Sequence, residues 1–321
     1  MTDDYWKQRE AENYVTINKT LTQYNKEIEA IYTSLNASID KEIKAFYAEY
    51  AQEAGITMAE AKKAAATADI KNFKAKYIEY AKNKTFKAKY IEYAKNKTFT
   101  KTANEEMALY DVTTKVNRLQ LLKANIGVEL VKYTNDLDVA MQAQMQAMAE
   151  GFYAQQAGIL ADTIIDNAKA AEVIVNGSFK NATFSERIWA NQDILRAEID
   201  KALQQTIIRG AGNREVAEKL QEKIKVTQYE AERLVRTETS RMQTEVRLDS
   251  YEKAGIEHVK FVANTKTACK SCLDLDGEIF ERGEIVISEN APPIHPNCMC
   301  ALSPVMTAEE EKKYQEWLNS L

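Results

Sequence analysis

Residues 14–50, YVTINKTLTQYNKEIEAIYTSLNASIDKEIKAFYAEY, repeat an apolar or aromatic side chain at every third or fourth position: Tyr14, Ile17, Leu21, Tyr24, Ile28, Ile31, Leu35, Ile39, Ile43, Phe46 and Tyr50. Such spacing marks one face of an α-helix. Its early part alternates as a coiled-coil seam does, and its later part relaxes toward the 3.6-residue period. At ~1.5 Å per residue, residues 4–53 make a rod of about 70 Å. A rod of this length cannot bury its stripe on itself, so it requires other long helices of this chain or of a neighbour. Gly55 is placed to cap its end, and Thr57 with Glu60 forms a capping-box pattern for a second helix through the Ala-rich run that follows.

The same reading extends over most of the chain. The sequence has 321 residues, and everything before Gly255 lacks Pro, Cys and His while being rich in Ala, Glu, Lys, Gln and Leu. A segment of that length without proline reads as helix after helix. Leu119, Leu122, Ile126, Leu130, Tyr133, Leu137, Met141, Met145, Met148 and Phe152 form a second long stripe. Its methionines suit either an adaptable partner surface or plain core, and core is the favoured reading. Shorter helices are expected at 159–172, 185–208 and 213–224, and Thr227 with Glu230 reads as a capping box for a helix reaching about Lys253 and capped by Gly255. Arg233, Arg236, Glu238, Arg241 and Arg247 fall on that last helix and read as a solvated face with charge pairs three and four residues apart.

Phe73–Thr85, FKAKYIEYAKNKT, recurs letter for letter as Phe86–Thr98. A 13-residue step is not a whole number of helical turns, so a continuous helix would turn the second copy's stripe about 140° away from the first. The region therefore reads as a linker or arm. A basic, Tyr-bearing arm could touch nucleic acid, but a duplication without a role is the favoured reading.

The net charge is −5, which removes a global basic surface for duplex DNA. No run approaches the ~18 consecutive apolar residues needed to cross a bilayer. The acidic, polar start MTDDYWKQRE is unlike a secretory signal, and a cytoplasmic site of assembly is expected.

Past Gly255 the character reverses. All four prolines, all four cysteines and both histidines lie here. Ile256–Ala263 reads as a strand that contains His258 as a structural residue, and Asp276-Gly277 reads as a hairpin turn into a returning strand at Glu278–Phe280. Cys269-x-x-Cys272 is followed by His295-Pro-Asn-Cys298-Met-Cys300. Two thiolates at this spacing hold one face of a tetrahedral Zn²⁺, and a second pair closes the other. Five candidates compete for four positions. Cys269, Cys272, His295 and Cys298 give matching halves, and Cys300 replaces His295 if the site is all thiolate. Lys266 and Lys270 are expected to favour the ionised thiols. Disulfides, a redox pair and plain buried thiols are the competing readings. A structural zinc with only protein ligands leaves no open coordination position for catalysis. With no glycine-rich phosphate loop and no nucleophile constellation either, a protein that is not an enzyme is expected.

Arg236-Thr237-Glu238, Tyr251-x-x-x-Gly255, the Cys269-x-x-Cys272-Leu-Asp-x-Asp276-Gly277 segment and Pro292-Pro293-Ile294-His295-Pro296-x-Cys298-x-Cys300 together resemble the phage head morphogenesis family, minor head proteins related to the F protein of phage Mu. The signature covers about 185–305, and Tyr5-Trp6-x-x-Arg9 ahead of a long helix is similar to members from phages of Gram-positive bacteria. Asn264–Thr267 stands where members often carry Asp and Arg, and Met299 where the family has Arg, so no anion contact by those arginines is implied here.

The resemblance implies a minor capsid protein in the virion, inside the capsid near the portal and in the host cytoplasm during assembly. It implies the portal protein as partner, with the major capsid or scaffolding protein and weak, non-specific viral DNA contact as further ones, no membrane, and a role in head assembly and in DNA packaging or ejection. The expected architecture is mainly α: a long helical bundle or rods, then a small α+β C-terminal module with a Cys/His zinc knuckle. Its divisions are 1–72 (long helix and second helix), 73–99 (repeat), 100–184 (helical middle), 185–305 (head morphogenesis domain, with the Cys/His module at 256–305) and 306–321 (a C-terminal helix, Ala308–Leu318). A zinc-containing nucleic-acid-binding protein and a nuclease- or toxin-type enzyme are the alternatives.

Overall fold

The computed structural model describes residues 3–54, 57, 100–103, 118–160, 167–208, 213–264, 266–307 and 312. Gly55, the helix expected after Thr57, the repeat at 73–98 and the helix expected at Ala308–Leu318 lie outside them.

Five helices of nine residues or more are described: α1 Asp3–Ala54, α2 Arg118–Leu160, α3 Asn167–Val175, α4 Phe184–Ile208 and α5 Asn213–Lys253. They are followed by β1 His258–Val262, the short α6 Lys270–Asp274, β2 Ile279–Glu281, a 3₁₀ turn at Arg282–Glu284 and β3 Ala301–Val305. The mainly α architecture with a small α+β tail is as the sequence indicates.

By packing, the chain divides into two units: Met1–Lys26 with Ala140–Glu186 and Ala231–Leu321, and Glu27–Val139 with Arg187–Glu230. In the second unit, the α1 stripe Ile28, Leu35, Ile39 and Ile43 is buried, as are Leu122, Ile126 and Leu130 of α2, Leu195, Ile199 and Leu203 of α4, and Val216, Leu220 and Ile224 of α5. The indole N–H of Trp189 donates to Asp138 at 2.9 Å inside this core. In the first unit Met141, Met145 and Met148 are buried, so the methionine stripe is core.

Helix boundaries differ from expectation where they are described. α2 is described to Leu160 and α3 from Asn167 to Val175, so the helix expected at 159–172 lies partly outside the described residues. No helix starts at Thr227, because α5 is continuous from Asn213 to Lys253. Its buried positions Val216, Leu220, Ile224, Thr227, Ala231 and Val235 keep one helical period without a glycine or proline to interrupt it, and the Thr227 hydroxyl donates back to the Lys223 carbonyl at 3.3 Å. A working capping box lies elsewhere. The Thr183 N–H donates to Glu186 Oε2 at 2.7 Å and the Glu186 N–H to Thr183 Oγ1 at 3.3 Å, at the start of α4.

Gly255 ends α5 as expected. It takes φ +69°, its N–H bonds the Glu252 carbonyl, and the Ile256 N–H reaches the Tyr251 carbonyl at 2.9 Å, a Schellman cap. The chain then enters an antiparallel sheet of order β2-β1-β3, with Val259 opposite Phe280 and Pro304. Pro304 is tolerated because β3 is an edge strand, and a proline there conceals the strand from a reading of the sequence. Asp276-Gly277 is no two-residue hairpin turn, since α6 intervenes between β1 and β2. The pair turns the chain out of α6, with Gly277 at φ +85° and Asp276 Oδ1 accepting the Ala263 N–H at 2.8 Å.

Candidate metal centre

The C-terminal module has an apolar core of Tyr251, Ile256, Val259, Phe261, Leu302 and Ala291, into which Cys272, Cys298 and Cys300 also project. α6 carries Cys272 on its buried side and starts directly after Cys269. The second pair is delivered by a turn in which the Cys298 N–H bonds the His295 carbonyl at 3.0 Å and Asn297 adopts φ +65°.

All five candidates converge. Cys269, Cys272 and His295 have ligand atoms within 4.8 Å of one another, as do Cys272, Cys298 and Cys300, so Cys272 belongs to both triads. Cys272 Sγ lies 3.7 Å from Cys269 Sγ, 3.8 Å from Cys298 Sγ and 3.4 Å from His295 Nε2. A tetrahedral Zn²⁺ with bonds of about 2.3 Å to sulfur and about 2.0 Å to nitrogen separates its sulfurs by about 3.8 Å and a sulfur from a nitrogen by about 3.5 Å. The three observed distances fit three edges of such a tetrahedron. A disulfide bond needs about 2.05 Å, and all four thiols are free.

The imidazole is oriented from behind. His295 Nδ1 lies 2.8 Å from the Pro296 carbonyl, which can only accept, so Nδ1 carries the proton and the Nε2 lone pair faces Cys272. The thiols are unequal. A hydrogen bond from the Cys300 thiol holds Cys298 down at about 5, against the opposing effect of burial. The N–H of Cys272 lowers Cys269. Burial pushes Cys272 up to about 12, reinforced by the neighbouring Cys298 charge, and Cys300 is raised by its hydrogen bond to Cys298. Burial disfavours the charged form of His295, but its bond to Pro296 and the thiolates hold it above the ordinary value. Hydrogen bonds therefore favour the thiolates of Cys298 and Cys269, where the charges of Lys266 and Lys270 were expected to do so. A cluster with Cys298 and Cys269 lowered by hydrogen bonds, Cys272 raised by burial and Cys300 raised by its bond to Cys298 is suited to a cation that accepts them as thiolates. The Cys₃His-type cluster can hold a metal ion.

α5 is the support of this loop. The Asn297 N–H donates to Thr237 Oγ1 at 3.1 Å, and the Thr237 hydroxyl donates to the Arg233 carbonyl at 2.7 Å. Next to it Glu238 and Arg241 are buried, which corrects the expectation of a solvated face. The Arg241 guanidinium reaches Glu238 and Glu245 at 2.7 Å each and the Ile174 carbonyl at 3.1 Å. Arg247 is buried too, and donates to the Leu302 carbonyl of β3 at 3.1 Å and to the Glu10 carboxylate of α1. The charge pairs have the expected spacing on α5, but the helix here is covered on almost every side. Thr237 was legible only as a letter in the Arg236-Thr237-Glu238 motif, since its role is to meet a main-chain N–H 60 residues away.

Residues 197–303 match the model of the family described as Phage Mu protein F like protein. This part of the chain, from α4 through α5 to the Cys/His loop, is similar to that family, which supports a phage head morphogenesis assignment. No curated protein and no solved structure matches the chain. No helix of the described residues is long and apolar enough to cross a membrane.

Proposed function

We propose that this protein is a minor head component of a tailed phage, resident in the virion and associated with the portal, that acts in head assembly and in DNA packaging or ejection. On this reading its C-terminal module is closed by one structural zinc ion held by Cys269, Cys272, His295 and Cys298, with Cys300 as the adjoining thiol that donates to Cys298. The role is structural. Four protein ligands leave the metal no open position for substrate, and the acidic balance suits protein partners over bulk DNA. The observation that carries the reading is the coincidence of the family match at 197–303 with the α5 anchor and the Cys/His cluster.

Two measurements test it. Metal analysis of the purified chain is expected to give about one zinc, lost in Cys269→Ser. A metal-free wild type whose module resists protease equally with and without chelator would remove the zinc. Purified heads are expected to contain the chain at low copy with the portal protein. Heads that lack it and still package and deliver DNA normally would remove the assembly role.

A further inference from the structure

The donors of the metal centre fall into two triads, and Cys272 is the one side chain common to both. Cys269 and His295 complete the first, at 3.7 Å and 3.4 Å from the Cys272 sulfur, and both are half-buried. Cys298, at 3.8 Å, and Cys300 complete the second, in which every thiol is buried. A single zinc ion uses the first triad and Cys298, and leaves Cys300, only 2% exposed, outside its four positions. The cluster therefore carries one buried thiolate donor more than a tetrahedral ion takes.

We propose that the same five side chains also take two Cu(I) ions in place of one zinc, with the Cys272 thiolate bridging them. The proposal rests on the reading of this loop as a metal centre, and goes beyond it in the ion, the stoichiometry and the use of Cys300. With Cys272 shared, five donors supply three bonds to each of two ions: Cys269, Cys272 and His295 to one, and Cys272, Cys298 and Cys300 to the other. Two zinc ions so held would each keep an open position, whereas a structural zinc closes all four. Cu(I) is a soft ion that thiolates select, and three such ligands satisfy it. Two Cu(I) ions also carry the same total charge as one Zn²⁺. The exchange thus releases the zinc and the Cys300 proton and transfers no electron. His295 needs no rearrangement, since Nδ1 keeps its proton on the Pro296 carbonyl and the Nε2 lone pair serves either ion. Tyr251, Phe261 and Leu302 are buried in the same core as the second triad, an apolar surround that limits solvent access to the ion.

The test titrates the full chain as purified with Cu(I), supplied anaerobically as its bicinchoninate complex, and counts copper bound and zinc released. About two coppers are expected to bind as about one zinc leaves. X-ray absorption at the copper edge is expected to show a copper–copper path, which a shared thiolate imposes. Cys300→Ala should still hold about one zinc but take only about one copper, without that path. If this variant fails to fold, the wild-type stoichiometry and copper–copper path decide the matter. One copper per chain, two coppers without the path, a larger copper cluster, or two bridged coppers in folded Cys300→Ala would each overturn the inference. The zinc reading is judged apart from it. A chain that arrives without zinc and takes two bridged coppers overturns the zinc alone, and a zinc-bearing chain that takes one copper overturns only the present inference.

Discussion

Residues 213–230 and 231–253 form one unbroken helix, yet the two halves are held by different physics. The first half is amphipathic. It buries Val216, Leu220 and Ile224 and leaves Lys219 and Glu222 to pair on the surface at 3.0 Å. The second half is covered nearly all round although many of its residues are polar: Glu238, Thr239, Ser240, Arg241, Thr244, Arg247 and Ser250 are all buried. A stripe is enough to dock a helix on other helices. A helix that must also hold a loop and a strand needs specific donors and acceptors, and Thr237, Arg241 and Arg247 supply them to Asn297, the Ile174 carbonyl and the Leu302 carbonyl.

The largest expected effect separates the halves outright. Structural zinc contributes about 10–16 kcal/mol of folding free energy in small zinc-dependent units near neutral pH. Chelation, or Cys272→Ser, is therefore expected to unfold the module supported by the second half. Limited proteolysis should then cut between Asn264 and Cys300, while far-UV circular dichroism keeps most of its helical amplitude. A uniform loss of helix, including the amphipathic half, would show that the halves are one cooperative unit.

Next in size is the buried ion cluster. Arg241→Met leaves Glu238 and Glu245 without their cation at a position where Arg241 is 1% exposed, and breaking such a pair from one side costs about 3–5 kcal/mol. The pH dependence has a definite sign. Burial already raises Glu245 above the ordinary carboxylate range even with Arg241 present. Without the cation its folded pKa rises further, so the variant recovers stability as pH falls and the carboxyl becomes neutral. Denaturant melts at pH 7 and pH 5 would read this as a smaller gap from wild type at pH 5. In the amphipathic half, Leu220→Ala should cost about 2–4 kcal/mol through lost burial and the residual cavity, with no such pH dependence.

What the sequence discloses follows the same division. The α1 stripe, the α2 stripe and the Gly255 cap are local signals: Ile17, Leu21, Ile28, Leu35, Ile39 and Ile43 of α1 and Leu122, Ile126, Leu130, Leu137 and Met141 of α2 are buried, while Tyr14, Tyr24, Ile31 and Tyr133 are half-buried. The convergence of Cys269, Cys272, His295, Cys298 and Cys300 was legible because metal ligands must be close and the residue types are scarce. What was not legible depends on tertiary burial. Arg241 and Glu238 at i,i+3 look the same on paper whether solvated or enclosed, and Thr237 meets its partner 60 residues away. β3 was hidden by Pro304, which only its place at the sheet edge permits.

The smallest effect concerns two copies of one pattern. Thr183-Phe-Ser-Glu186 and Thr227-Gln-Tyr-Glu230 both satisfy the capping-box spacing, and only the first caps a helix. Thr183→Ala should cost about 1 kcal/mol, the usual value of an N-cap side chain. Thr227 is inside α5 and its hydroxyl only bonds back to Lys223, so Thr227→Ala should shift stability by less than about 0.5 kcal/mol, with the better helix propensity of alanine offsetting lost contacts. The box also titrates. The Thr183 N–H holds the Glu186 carboxyl below its ordinary pKa. Its contribution is therefore present above the unfolded carboxylate value and is lost as pH falls through the folded one. Melts of Glu186→Gln and wild type should differ at pH 7 and converge toward pH 3. If Thr227→Ala proves the more damaging of the two threonine variants, the continuity of α5 through that position is wrong and the two halves are separate helices.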